Sequence, residues 1–91
     1  MQTFSGSQSA DETKDWGVDF TNPLSGDQIL LVTWSCPFVE LIIARQSNAG
    51  NASYAFISGG AGGKSYPVRI IARTINGRVF EAQILLYIQP A

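Results

Sequence analysis

The sequence contains no histidine and a single cysteine, Cys36. Without histidine, the usual Ser–His–Asp and Cys–His nucleophilic systems are excluded, and so are histidine-based zinc and iron sites. A lone cysteine cannot form an intrachain disulfide or a cysteine metal framework. Cys36 has no cationic neighbour in the sequence that would activate it, so we expect a structural thiol.

Charged residues are also scarce, at 14% of the 91 residues, with a net charge of −1. The cationic residues are scattered, so no basic patch indicates nucleic-acid binding. Asp15 and Asp19 share one face of a predicted strand but are about 13–14 Å apart, too far for a catalytic dyad. No apolar run reaches about 18 residues, the length that a membrane helix requires. We therefore predict no catalytic residue, metal ligand, cofactor, small-molecule substrate or membrane partner.

Residues 59–65 (GGAGGKS) are similar to a phosphate-binding loop, but the spacing differs by one residue. Ser58 occupies the position where that motif requires its first glycine. A predicted strand follows this segment, whereas a phosphate site of this kind requires the N-terminus of a helix. We interpret the segment as a flexible connector between strands.

Hydrophobic residues make up 45% of the sequence and occur in short runs bounded by glycine, proline and asparagine. Such runs are typical of β-strands, and their close spacing predicts an antiparallel sandwich or small barrel. Residues 28–35 are apolar almost throughout, which predicts a strand that is central in a sheet or covered by a partner. Residues 46–52 are interpreted as a loop. The predicted strands are residues 14–20, 28–35, 38–45, 53–58, 66–74 and 78–88. Residues 38–45 could also form two helical turns, but their β-branched residues and the lack of capping residues favour a strand.

The last two predicted strands flank Asn76-Gly77, a strong signal for a β-hairpin. If Thr74 lies opposite Arg78, one face of the hairpin is entirely apolar, whereas a slip of one residue mixes both faces. This register requires a three-residue loop, with a type I turn followed by Gly77 at positive φ. The apolar face then pairs Ala72 with Phe80, Ile70 with Ala82, Val68 with Ile84, and Tyr66 with Leu86.

Residues 1–13 are rich in serine, glutamine and acidic residues, with Phe4 as the one large apolar residue after Met1. We interpret them as an N-terminal arm that precedes a sandwich domain of residues 14–91. The arm is either a loose tail or a docking segment that orders against a neighbouring subunit through Phe4.

A domain of this size buries only about 60–65% of the surface of its unfolded chain. Low charge combined with several apolar runs therefore predicts that other subunits cover part of the surface. The candidate protein contacts are Phe4, Leu41, Ile42 and Ile43. We expect a homo-oligomer with several copies around a ring or axis.

Five short motifs follow one another between residues 15 and 88. They are Val18-Asp19-Phe20; Asp27-Gln28-Ile29 with Trp34; Phe56-Ile57-Ser58-Gly59-Gly60; Gly63-Lys64-Ser65-Tyr66; and Thr74-Ile75-Asn76-Gly77-Arg78 with Glu81. In this order and spacing they resemble a family of short phage proteins described as fibre–tail adaptors. Phe20 and Phe56 stand where the family pattern has tryptophan.

The resemblance implies an all-β, immunoglobulin-like antiparallel sandwich of six to seven strands. It also implies a non-enzymatic virion protein, made in the host cytoplasm, that joins tail and fibre components by contacts with other virion proteins. One alternative is a capsid decoration protein of similar form. Another is a carbohydrate-binding module that uses exposed Trp16 or Trp34, although core positions are favoured for both.

Overall fold

Two β-sheets pack against each other in the computed structural model, which describes residues 2–20 and 26–90. No helix long and apolar enough to cross a membrane occurs among these residues. The strands in the described part of the chain are β1 Gln2–Ser9, β2 Thr13–Asp19, β3 Ile29–Ser35, β4 Leu41–Ala49, β5 Ala52–Gly59, β6 Ser65–Thr74 and β7 Val79–Gln89.

The strand order is that of an immunoglobulin-like sandwich. One sheet has the order β1-β7-β6-β3 and the other has the order β2-β5-β4. Neighbouring strands are antiparallel except for β1 and β7, which are parallel. In constant-type immunoglobulin domains the first strand joins the sheet of strands two, four and five, whereas here it joins the opposite sheet. The predicted all-β, immunoglobulin-like sandwich is confirmed.

The core lies between the inward faces of the two sheets, where every second side chain is buried. On β6, for example, Val68, Ile70 and Ala72 are fully buried, while Arg69 and Arg73 between them are exposed. This alternation follows from the two-residue repeat of a strand. The buried apolar residues are Val18, Phe20, Val32, Trp34, Leu41, Ala55, Ile57, Tyr66, Val68, Ile70, Ala72, Ala82, Ile84, Leu86 and Ile88.

The β6–β7 hairpin has the register that its apolar pattern predicts, with Arg73 opposite Val79 and Tyr66 opposite Leu86. The Gly77 N–H donates to the Thr74 carbonyl at 3.1 Å, and the Thr74 N–H donates to the Arg78 carbonyl at 2.9 Å. Gly77 has a φ of 85°. The turn therefore needs a residue that tolerates the left-handed region.

The N-terminal segment differs from the expected arm. Gln2–Ser9 is an edge strand that pairs with β7 from Gln2 opposite Ala82 to Ser9 opposite Gln89. Apolar periodicity does not reveal this strand, because its side chains are mostly polar and the ladder is made by backbone groups. Within this range the segment belongs to the sandwich, and residue 1 lies outside the described residues.

The prediction that residues 28–35 form a central strand is wrong. β3 is an edge strand that pairs with β6, and its register shifts between Ile29 and Leu31. Leu30 and Leu31 are 68% and 54% exposed. This continuous apolar run therefore forms an edge strand. The other alternative, that a partner covers the strand, stays a prediction.

The β4–β5 hairpin is longer than predicted, because β4 continues to Ala49 through residues interpreted as a loop. Gly50 and Asn51 form its two-residue turn, and Gly50 has a φ of 61°. Glycine at the first turn position is typical of a type II′ hairpin, so the Gly-Asn pair was an available signal. The ladder shifts between Ala44 and Ser47, where Arg45 has a φ of 54°.

The glycine-rich connector is fixed to the core by Tyr66. The buried Tyr66 hydroxyl accepts a hydrogen bond from the Ala61 N–H at 2.7 Å and donates to Glu40 Oε1 at 3.3 Å. This is the arrangement of the immunoglobulin tyrosine corner. Val68, two residues later, stands where an immunoglobulin domain has its second cysteine. The connector is also bonded to β7, from the Gly63 N–H to the Ile88 carbonyl at 2.7 Å and from the Ile88 N–H to the Lys64 carbonyl at 2.9 Å.

We expect Gly77→Ala to lower the free energy of unfolding by about 1–2 kcal/mol, because an L side chain is strained at positive φ. Urea unfolding measures the change. Asn76→Ala is the control, since Asn76 is not among the positive-φ residues. Equal stability of wild type and Gly77→Ala would contradict this account of the turn.

We expect Tyr66→Phe to destabilise the domain by about 1–3 kcal/mol, because the Ala61 N–H and the Glu40 carboxylate lose a partner. Tyr87→Phe serves as the control, since Tyr87 is 39% exposed on the outer face. Thermal unfolding followed by circular dichroism compares the two variants. A Tyr66→Phe protein as stable as Tyr87→Phe would show that the corner contributes nothing.

Candidate functional site

Asp27 is a buried carboxylate at the entrance to β3, with its side chain 1% exposed. Its Oδ1 accepts the Gln28 N–H at 2.8 Å, and its Oδ2 accepts the Arg78 Nε–H at 3.1 Å. Next to it, the Ile75 N–H donates to the Gln28 carbonyl at 3.0 Å. Asp27 therefore attaches the start of β3 to the β6–β7 turn.

The environment of Asp27 favours its charged form. Burial raises the pKa of this carboxyl, but the hydrogen bonds from the Thr74 hydroxyl and the Gln28 N–H and the charged Arg78 together lower it. The net pKa lies below the ordinary value of 3.8. Asp27 is thus an anion engaged in a structural contact, not a proton donor near neutral pH. Among the described residues, no group of three or more acidic or cysteine side chains could hold a metal ion.

Neither tryptophan is the exposed platform that a carbohydrate-binding module requires. Trp34 is 4% exposed, and its Nε1–H donates to Ser53 Oγ at 2.9 Å. Trp16 is half-buried against Gly6 of β1, where the ring leaves no room for a side chain. Both rings thus belong to the packing between sheets.

Gln8 joins the two sheets at the β1–β2 side of the sandwich. It is 1% exposed, accepts the Trp16 Nε1–H at 2.7 Å and donates from Nε2 to the Ile57 carbonyl at 2.9 Å. Sequence reasoning missed this residue, because a glutamine in a polar segment carries no signal of burial.

The predicted contact residues do not form one surface. Phe4 on β1 is 44% exposed, and Ile42 on β4 is 56% exposed. Ile43 packs against the core. Leu41 is 6% exposed and lies in the core, so it is corrected from a surface contact to a core residue. Alternation along β4 explains the division, because consecutive residues point to opposite faces of the sheet.

The outer face of the β2-β5-β4 sheet carries an aromatic strip, and we call it the aromatic face. Tyr54 and Phe56 are 41% and 37% exposed, and Phe56 is paired with Asp15 on β2. On the other side, the Arg45 guanidinium lies 5.9 Å from the Phe56 ring centroid. A depression of ≈ 270 Å³ is lined there by Thr13, Ala44, Arg45, Phe56 and Ser58. Aromatic residues and arginine are enriched at protein-contact surfaces.

The outer face of the β1-β7-β6-β3 sheet carries apolar and cationic side chains, and we call it the arginine face. Arg73 is exposed between Leu31 on β3 and Val79 on β7, which are 54% and 53% exposed. Arg69 on the same face forms an ion pair with Glu81. The sandwich therefore has an apolar, charged surface on each of its two opposite sides.

A family model described as "Podophage GP4 fiber-tail adaptor protein gp77" matches residues 8–87. The chain belongs to this fiber-tail adaptor family. The resemblance drawn from the sequence motifs is therefore confirmed. No curated protein matches the chain. Among solved structures, the crystal structure of the titin M3 domain matches with a TM-score of 0.48 and 9% identity, over 93% of this chain and 88% of that one.

In this fiber-tail adaptor chain, the sequence motifs come together as structural contacts. Asp27 of one motif meets Thr74 and Arg78 of another, at the turn end of β6. At the opposite end of β6, Tyr66 holds the connector that a glycine-rich motif supplies. Several motif residues therefore fix the fold, whereas two others, Phe56 and Glu81, lie on the outer faces of the two sheets.

We expect Asp27→Asn to destabilise the domain at neutral pH, because the amide cannot pair with Arg78 as an anion does. The wild-type contribution is complete above the ordinary pKa of 3.8 and is lost as pH falls through the lower folded-state value. The variant should therefore lose less stability than wild type on acidification.

Urea unfolding in steps from about pH 7 to about pH 2 measures this difference. Asp11→Asn is the matched control, because Asp11 is exposed in the β1–β2 turn. The account of Asp27 fails if both variants have the pH dependence of wild type.

Proposed function

We propose that the chain is a non-enzymatic structural protein of the phage virion that joins tail and fibre components through protein–protein contacts. The observation that carries this proposal is the match to the fiber-tail adaptor family over residues 8–87. Homo-oligomerisation within the particle is part of the proposal, since small adaptor domains gain stability when neighbours cover their apolar surface.

The distribution of apolar side chains supports a role in protein contacts. Two of the edge strands, β3 and β4, and the segment between them carry large exposed apolar residues, which soluble monomers rarely concentrate. These residues are Leu30, Leu31, Phe38, Val39 and Ile42. Val39 is 94% exposed. Burial of such side chains against a partner lowers the free energy of the complex, because it removes apolar surface from water.

Among the residues expected to make contacts, we propose Phe4 and Ile42 as direct contacts. They lie on edge strands of different sheets, β1 and β4, so they suit different neighbours. Ile43 supports Ile42 from the core side of β4. Two separate contact regions are what an adaptor needs to join two components.

We expect Ile42→Asp to weaken binding to virion proteins by at least about tenfold, because it places a charge in an apolar contact. The experiment adds labelled chain to particles of the encoding phage assembled without it, then measures the bound amount and images the label. Ile75→Asp is the matched control, since Ile75 is 58% exposed but lies in the β6–β7 turn.

Label on tails supports the adaptor proposal, whereas label spread over capsids favours the decoration alternative. Wild-type chain that binds neither tails nor capsids would contradict the proposed function. Equal binding by wild type and Ile42→Asp would remove Ile42 from the contact.

A further inference from the structure

The two outer faces of the sandwich carry charges of opposite sign in comparable apolar surroundings. Arg73 is exposed near the middle of the arginine face, and its side chain has no hydrogen bond or ion pair to any described residue. Because Arg73 is flanked by Leu31 and Val79 in one cross-strand row, its guanidinium is displayed within an apolar rim. An exposed cation in such a rim is suited to meet an acid beside apolar groups.

The aromatic face offers that arrangement. Asp15 is exposed on the edge strand β2, beside Phe56 in the next strand. Its side chain has no hydrogen bond or ion pair to a described residue. Tyr54 and Ile42 extend the apolar area to both sides of Phe56, with 41% and 56% exposure. The Asp15 carboxylate thus lies beside exposed aromatic side chains, and the Arg73 guanidinium lies between exposed apolar side chains.

The remaining charges on the two faces complement each other in the same sense. The aromatic face also carries Arg45, which lies over Phe56 on the side away from Asp15. The arginine face carries Glu81, which lies diagonally across the β6–β7 pair from Arg73 and forms an ion pair with Arg69. Each face therefore presents both acidic and basic groups, with an excess of bases on the arginine face and of acids on the aromatic face, which favours one docking orientation over its reverse.

We infer that the arginine face of one copy docks on the aromatic face of the next copy, with Arg73 against Asp15. This inference rests on the proposed function and identifies the surfaces that join copies of the chain. The two faces lie on opposite sides of one sandwich, so each copy leaves one face of each kind free for a further neighbour. A heterologous contact of this type builds a ring if it closes and a filament if it does not.

Sedimentation velocity of the full chain over a range of concentrations tests the inference. Wild type should associate, and added salt should weaken the association because it screens the charge pair. Arg73→Glu and Asp15→Lys should each weaken association by at least about tenfold, since like charges then face each other. An equimolar mixture of the two variants should recover association, because each reversed charge meets the other.

Lys64→Glu and Asp11→Lys are matched controls, because they make the same charge changes in connecting segments away from both faces. They should associate as wild type does. Thermal unfolding verifies that all variants are folded. If Arg73→Glu or Asp15→Lys does not fold, the neutral variants Arg73→Gln and Asp15→Asn are used instead. These neutral variants should each weaken association less than the reversals but more than the controls.

Wild type that remains monomeric at every concentration would overturn the inference. So would variants that associate as wild type does, controls that are equally impaired, or a mixture of the charge reversals that stays dissociated. A monomeric wild type that still binds tails would leave the adaptor proposal intact. The two ideas therefore fail separately.

Discussion

The pairing of β6 with β7 in a single register is the constraint on which the rest of the structure depends. It places Val68, Ile70 and Ala72 on the same inward face as Ile84 and their other partners on β7. A slip of one residue would turn all of them toward solvent. β3 and β1 then attach to the two outer edges of this ribbon, and the second sheet packs on its apolar face.

Buried polar groups clamp the two ends of β6. At one end, Asp27 and Thr74 hold the turn against the start of β3. At the other end, Tyr66 holds the glycine-rich connector and reaches Glu40. Buried polar groups are costly unless they are satisfied, so such contacts specify one arrangement of the loops. This explains why several of the family motifs lie at these positions.

The sequence predicted those parts of the fold in which side-chain periodicity decides the structure. The β6–β7 register follows from its apolar face, whereas β1 was missed because backbone pairing with β7 holds its polar residues in place. The apolar run of residues 28–35 did not distinguish a central strand from an edge strand. A central strand and an edge strand that a partner covers have the same apolar sequence pattern. For the candidate site, the alternation along β4 predicts that Leu41 and Ile42 lie on opposite faces of the sheet. It does not predict which of the two residues faces the core, and the structure shows that Leu41 does. The outer faces combine residues from different strands, so no linear motif contains them.

The parallel pairing of β1 with β7 has a consequence for how the domain folds. The strand that precedes the other described strands is bonded to the strand that follows them, from Gln2 opposite Ala82 to Ser9 opposite Gln89. Contacts between such distant parts of a chain carry a large loop-closure entropy, and folds rich in them form slowly. A ribosome must therefore release nearly the whole domain before its four-stranded sheet can close. Until then, β1 lacks its partner strand, and its backbone groups are exposed to chaperones and to neighbouring nascent chains.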